Sequence, residues 1–218
     1  MQRKSDVQLR DDVLAEIKWD TRLQPTEVGV SAKGGVVTLS GTVDSWAKRI
    51  AAKEAAHRVA GVLDVANDIN VHTASSPGRT DSGIAEQARC ALEWDVFVPH
   101  EKIHVTVSNG ILSLDGDVVT AVQRLDAERA VRNLEGVVAV ANNLKVKALV
   151  RSTDVQQAIQ GALTRHAVRE AERVRVEVLD GKVKVVGRVD SWAERQAVLS
   201  AVWGTRGVRA VDDRIAVD

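Results

Sequence analysis

Three glycines keep their spacing three times along this chain. Gly35, Gly41 and Gly61 return as Gly110, Gly116 and Gly136, a shift of 75, and again as Gly181, Gly187 and Gly207, a shift of 71. Residue types recur around them: segments 30–41, 105–116 and 176–187 each alternate apolar and polar positions, break at a small or polar pair, and close on glycine. Self-similarity at a fixed period sets domain number and architecture together. It predicts three units, 5–72, 80–147 and 152–218, and removes the reason to expect one large active-site core. A unit of about 65 residues buries roughly 60% of its unfolded surface and is marginal alone.

Each unit opens on an amphipathic helix: Leu9, Val13 and Ile17 in the first, with Asp6 as its N-cap, then Ile84, Ala88 and Leu92, then Val155, Ile159 and Leu163. Two strands of period two follow, carried by Val28/Val30 and Val37/Leu39, by Ile103/Val105/Val107 and Leu112/Leu114, and by Val174/Val176/Val178 and Val183/Val185. Between them sit Gly34-Gly35, Asn109-Gly110 and Asp180-Gly181, dipeptides that accept the positive φ angles of a hairpin turn. Gly41, Gly116 and Gly187 then separate strand from helix, a structural role. The second helix starts at Ser45, Thr120 and Ser191, and Thr120/Gln123 and Ser191/Glu194 fit a capping box. Its inner face is small and apolar (Ala51, Ala52, Ala55, Ala56; Ala127, Ala130, Val131; Ala197, Val198, Ala201, Val202), and Gly61, Gly136 and Gly207 are placed to cap its end. A last strand runs over 62–71, 137–146 and 208–217. The fold class is therefore α+β: three tandem αββαβ units, each a small three-stranded mixed sheet with two helices on one face and a right-handed crossover.

Thirty basic and thirty acidic residues cancel, with nets of 0, −2 and +2 over 1–72, 73–147 and 148–218, so the clustered basic footprint of a nucleic-acid binder is absent. The one cysteine, Cys90, lies in an Ala-rich helical stretch and reads as a small buried hydrophobe. The N-terminus lacks the apolar core of a signal peptide and no run approaches a membrane span, which points to a cytoplasmic protein without a transmembrane segment. The linker 73–79 is polar, with Pro and Gly, and should bend freely. Eight residues at the second junction against twelve at the first predict that units two and three are the tighter pair.

The pattern of hairpin glycine, V-x-L-x-G, a capped Ala-rich helix and then G-V-x-x-V-x-[N/D]-x-[I/L]-x-V resembles the BON domain, named for bacterial osmotically inducible and nodulation proteins. Gly35, Val37, Leu39, Gly41, Gly61, Val62, Val65, Asn67, Ile69 and Val71 carry it in the first unit, with equivalents in the other two. The resemblance covers nearly the whole chain. It implies the same fold, no catalysis, and binding of phospholipid or other envelope surfaces during stress, with the periplasm as a family-consistent location.

Catalytic motifs are absent: no Cys/His pair, no G-x-S-x-G, no phosphate-cradling loop, no H-E-x-x-H. No cofactor and no metal are expected. His100 and His104 fall around Pro99 and a strand, off any helix that would bring them together. The pairs Asn67-Asp68, Asn142-Asn143 and Asp212-Asp213 offer too few oxygens for calcium and read as guards of an edge strand. Trp19 and Trp94 end the first helices and read as contacts beneath the following loop. The second helix of the third unit is singular. Trp192, Leu199 and Trp203 line the side opposite its core face, with Arg195 alongside and Arg206 just beyond, where the second unit has Ala121, Glu128 and Arg132 and the first has Trp46, Lys53 and His57. An apolar second face is expected to pack on another unit or chain, or to meet anionic phospholipid, where Trp flanked by Arg suits the headgroup boundary. The leading expectation is weak association with anionic phospholipid or envelope surfaces. A cytoplasmic protein-interaction scaffold is the alternative, and a homo-oligomer is compatible with either.

Overall fold

The computed structural model describes residues 4–73, 80–147, 152–166 and 174–217, with backbone alone at 152–154 and 164–166. Most of the linker expected to bend, 74–79, and residues 148–151 of the shorter second junction lie outside the described residues. Unit one comprises α1 (Asp6–Trp19), β1 (Val28–Lys33), β2 (Val36–Val43), α2 (Trp46–Arg58) and β3 (Asp64–Val71). Unit two comprises α3 (Asp81–Trp94), β4 (Ile103–Ser108), β5 (Ile111–Val118), α4 (Ala121–Arg132), β6 (Ala139–Asn142) and β7 (Lys145–Val146). Unit three comprises α5 (Ser152–His166), β8 (Val174–Leu179), β9 (Lys182–Val189), α6 (Trp192–Trp203) and β10 (Ala210–Val217).

In each sheet the second strand is central, antiparallel to the first and parallel to the last. Turn chemistry sets the hairpins: Gly34 and Gly35 have φ of 62° and 87°, Asn109 and Gly110 51° and 74°, Asp180 and Gly181 48° and 75°. Period two then decides the buried face. Val37, Leu39, Val65 and Ile69 lie under α1 and α2 in one cluster with Leu9, Val13 and Ile17, while Val36 on the opposite face is exposed. Each fully buried branched side chain contributes about 1.5–3 kcal/mol, and the small Ala51, Ala52, Ala55 and Ala56 let α2 lie close to the sheet.

Several local expectations are corrected. The N-cap of α1 is Ser5, in a capping box with Gln8, one residue before Asp6. Ser191 caps α6 by accepting from Glu194, but the Glu194 carboxylate takes the Asp190 N–H, one residue early for a full box. The second helices stop at Arg58, Arg132 and Trp203, and a short turn intervenes before Gly61, Gly136 and Gly207. Ala197 faces solvent, so the core side of α6 is Val198 and Val202. Cys90 is exposed, on the side of α3 away from Ile84, Ala88 and Leu92. The last strand of unit two is interrupted at Asn143-Leu144, where the Asn143 N–H donates to the Leu114 carbonyl and its amide to Asp115.

The late amide or acid residue ties that strand to its helix. Asn67 Nδ2 donates to the Arg49 carbonyl at 3.0 Å while Arg49 Nη2 donates to the Asn67 carbonyl at 2.9 Å. Asn142 and Arg124 repeat the exchange at 2.9 and 3.3 Å. In unit three, Asp213 accepts Arg195 Nη2 at 2.6 Å. In all three the side-chain oxygen also accepts the N–H two residues on, at Ile69, Leu144 and Ile215. These residues lock crossover helix to strand, a role that replaces the expected guarding of an edge.

Candidate functional site

The singular stripe on α6 lands on seams between units. The repeat makes Trp46, Ala121 and Trp192 equivalent, at the start of each second helix, and makes His57, Arg132 and Trp203 equivalent near its end. Start meets end in cyclic order. Trp46 packs against the core of unit two, its N–H reaching the Val137 carbonyl at 3.4 Å, and Glu54 pairs with Arg132 at 3.9 Å. Trp203 packs on the cores of both units two and three, and Ala121, small where the other units carry indoles, is 2% exposed within the former. Trp192 packs on the core of unit one and stacks on His57, with ring centroids 3.9 Å apart and planes 12° from parallel. Three units joined by three seams make a closed ring with pseudo-threefold symmetry.

Arg195 completes the third seam. Its guanidinium lies 4.3 Å over the Trp192 ring while pairing with Asp213 at 2.6 Å. The indole thus contacts both an imidazole and a guanidinium. His57 Nε2, Trp192 Nε1 and Arg195 Nε are all buried there without a hydrogen-bond partner among the described residues. Burial pushes the His57 imidazole down to about 4, Lys53 and Arg195 push the same way, and Asp64 opposes them. Of the remaining stripe residues, Leu199 packs into the core of its own unit and Arg206 is exposed. Among the described residues α2 packs on α6 and joins units one and three, alongside the contact of Trp203 with the core of unit two.

The first-helix tryptophans are not beneath loops. Trp19 is 75% and Trp94 85% exposed, because each falls on the solvent side of its helix's final turn. What is buried is the neighbouring acid. Asp20, 7% exposed, caps α1 and accepts Arg22 through both Nε (2.9 Å) and Nη2 (2.7 Å), and Arg58 Nη2 at 3.0 Å. Those partners hold its carboxyl well below the usual carboxylate range. In unit two Asp95 accepts only the Phe97 N–H among these contacts, since Phe97 and Asn133 stand where unit one has Arg22 and Arg58. Freed from a clamp, the turn turns its apolar residues outward: Val96 is 89% and Phe97 72% exposed beside Trp94. The equivalent turn of unit three lies outside the described residues. Sequence reading missed this tip; its signal was Val-Phe in unit two where unit one has Thr-Arg.

Concave features are shallow. A 350 Å³ groove runs between α3 and edge strand β4, past Glu86, Arg89 and His104. A 240 Å³ cleft at the seam of units one and two is lined by Arg22, Lys48, Glu54, Arg132 and Asn133. Its cations are committed to carboxylates: Arg22 to Asp20 and Lys48 to Asp44, both at 2.7 Å, and Arg132 to Glu54. Among the described residues no three His, Cys, Asp or Glu side chains gather as metal ligands, and no helix is long and apolar enough to cross a membrane.

Repeated αββαβ units with the glycine turns, the helix–strand lock and these cores match the BON domain model three times, over residues 5–73, 80–148 and 151–218. The chain belongs to the BON family. It is 30% identical to osmotically-inducible protein Y of Escherichia coli (strain K12) over 129 residues, which span 57% of this chain and 64% of that protein. Among solved structures, CdsD, a structural protein of the type III secretion system of Chlamydia trachomatis, aligns over 97% of this chain and 92% of its own at 16% identity, and the C-terminal domain of CdsD over 99% and 100% at 15% identity. Both overlays have a TM-score of 0.27, too low to bear on domain arrangement or function.

Proposed function

We propose that this BON protein is a non-enzymatic, stress-associated binding module that attaches weakly to phospholipid surfaces through the tip at Trp94, Val96 and Phe97. The observation that carries the reading is the exposure of all three at one helix end. A solvated turn gains nothing from an indole, a phenyl and an isopropyl group side by side, whereas an interface between headgroup and hydrocarbon accommodates each of them. Burying the three side chains supplies about 4 kcal/mol, on the order of a millimolar dissociation constant. The neighbouring Glu93, Asp95 and Glu101 outnumber Lys102, so apolar insertion drives the contact and anionic lipid adds little. The α6 stripe, taken up by seams, leaves Arg206 as its exposed cation.

Vesicle sedimentation with phosphatidylcholine alone and with phosphatidylglycerol tests this. Trp94→Ala combined with Phe97→Glu is expected to abolish measurable binding to both vesicle types without changing thermal stability, because both positions are exposed. Full binding by that double variant would overturn the assignment. Binding lost instead through Arg206→Glu would move the site to α6.

A further inference from the structure

The closing seam of the ring is built on a histidine that has to stay neutral. His57 lies one residue from the end of α2, flat against Trp192 at the start of α6. The same indole already carries the Arg195 guanidinium 4.3 Å from its ring centroid. A neutral imidazole stacks there without cost in charge. An imidazolium would bring a second cation next to the Arg195 guanidinium in a desolvated seam where Nε2 has no acceptor among the described residues, and desolvation and repulsion there outweigh the attraction of the ring face. The charged groups facing it come from each packed element: Lys53 from α2 and Arg195 from α6 disfavour the cation, and Asp64 at the start of β3 opposes them. Asp213 is engaged with Arg195 and leaves that guanidinium fixed over the ring. The other two seams carry Arg132 and Trp203 at the equivalent position, so this is the seam of the three with a histidine there.

We propose that the seam between units one and three is a pH-sensitive latch: protonation of His57 expels Trp192 and opens the ring, while the three domains stay folded. The sign follows from linkage. In the closed seam the imidazole binds its proton more weakly than the ordinary value near 6.5, so closure is fully favoured above about 6.5 and is weakened as pH falls from there towards about 4. The clamp of unit one outlasts this window, because Asp20 is held well below the usual carboxylate range. Opening therefore precedes loss of that domain. It uncovers an indole that the closed ring hides.

The test places spin labels on the hairpin tips of units one and three, through Lys33→Cys and Leu179→Cys in a Cys90→Ser background, and follows their separation with far-UV circular dichroism from neutral pH to about 4. The expected result is one narrow distance at neutral pH that changes and broadens across that window with helix content unchanged. His57→Phe, which keeps an aromatic ring on Trp192 but cannot take a proton, should shift the transition down by roughly one pH unit or more. His57→Gln, a smaller neutral side chain, should remove the transition from the same window even if its distance at neutral pH is broader. An unchanged wild-type distance, a transition that keeps the wild-type midpoint in both variants, or helix loss with the same midpoint as the distance change would each overturn the proposal.

Discussion

Gly41 shows how one atom can decide whether a unit folds. Its φ is 121°, and a Cβ there would meet the carbonyl oxygen of Glu27; Gly116, at 140°, would meet that of Lys102 in the same way. Backbone cannot step aside as a side chain can, so strain and clash add. Gly41→Ala and Gly116→Ala should each cost about 3 kcal/mol. Gly34→Ala, where a Cβ meets open space at φ 62°, should cost about 1 kcal/mol; thermal unfolding of the three variants ranks them. Asp20 makes the corresponding case for charge. Its folded carboxyl is held low by Arg22 first and by Arg58, so its stabilisation is complete above the unfolded value near 4 and fades as pH drops further. Asp20→Asn should lower the stability of unit one by about 2 kcal/mol at neutral pH, a figure discounted because both arginines are partly exposed. Denaturant titrations below about pH 3 should show the gap closing.

Among elements, the exchange between Arg124 and Asn142 carries more than its length suggests. Asn142 ends β6 just before the two-residue β7 and Arg124 reaches it from α4, so the lock holds a strand that has lost its continuous ladder. Asn142 also accepts from the Leu144 N–H and reaches Glu128 at 3.1 Å. Asn142→Ala should destabilise unit two by about 1–2 kcal/mol and speed amide hydrogen exchange at Lys145 and Val146 well beyond that at Leu112 and Leu114. Equal protection of all four would contradict the lock. Periodicity made the first-helix cores and the hairpins legible in advance, from Leu9, Val13 and Ile17 to the turn at Asp180-Gly181, but placed Ala197 on the wrong side of α6. The lock was not legible, because a recurring amide pair looks alike whether it faces water or a helix 18 residues away.

On the scale of the whole molecule, stability is shared through seams. Trp46→Ala should open the first of them at a cost of about 2 kcal/mol for a half-buried indole, and calorimetry should show a lower, broader transition as unit one loses its hold on unit two while keeping its seam with unit three. Ala121→Trp places an indole where Trp203 and the core of unit two already fill the space. Overpacking there should cost about 1–3 kcal/mol, whereas the same substitution read on an isolated unit would look harmless, since Trp46 and Trp192 occupy the equivalent sites. A single unchanged transition for both variants would show that the units do not support one another.

Local order along the chain determined the three domains, their αββαβ order and the residues inside each core, because turn dihedrals and the periods of helix and strand are properties of neighbours in sequence. Even the second apolar face of α6 was visible as a stripe in need of a partner. Which partner it met was decided only in three dimensions, since burial depends on what approaches from another unit and the repeat says nothing of how units are arranged. The same reason separates two similar motifs: Trp19-Asp20 and Trp94-Asp95 read alike, yet Arg22 and Arg58 converge on Asp20 from different elements, while Phe97 takes the place of one of them and points its ring to solvent.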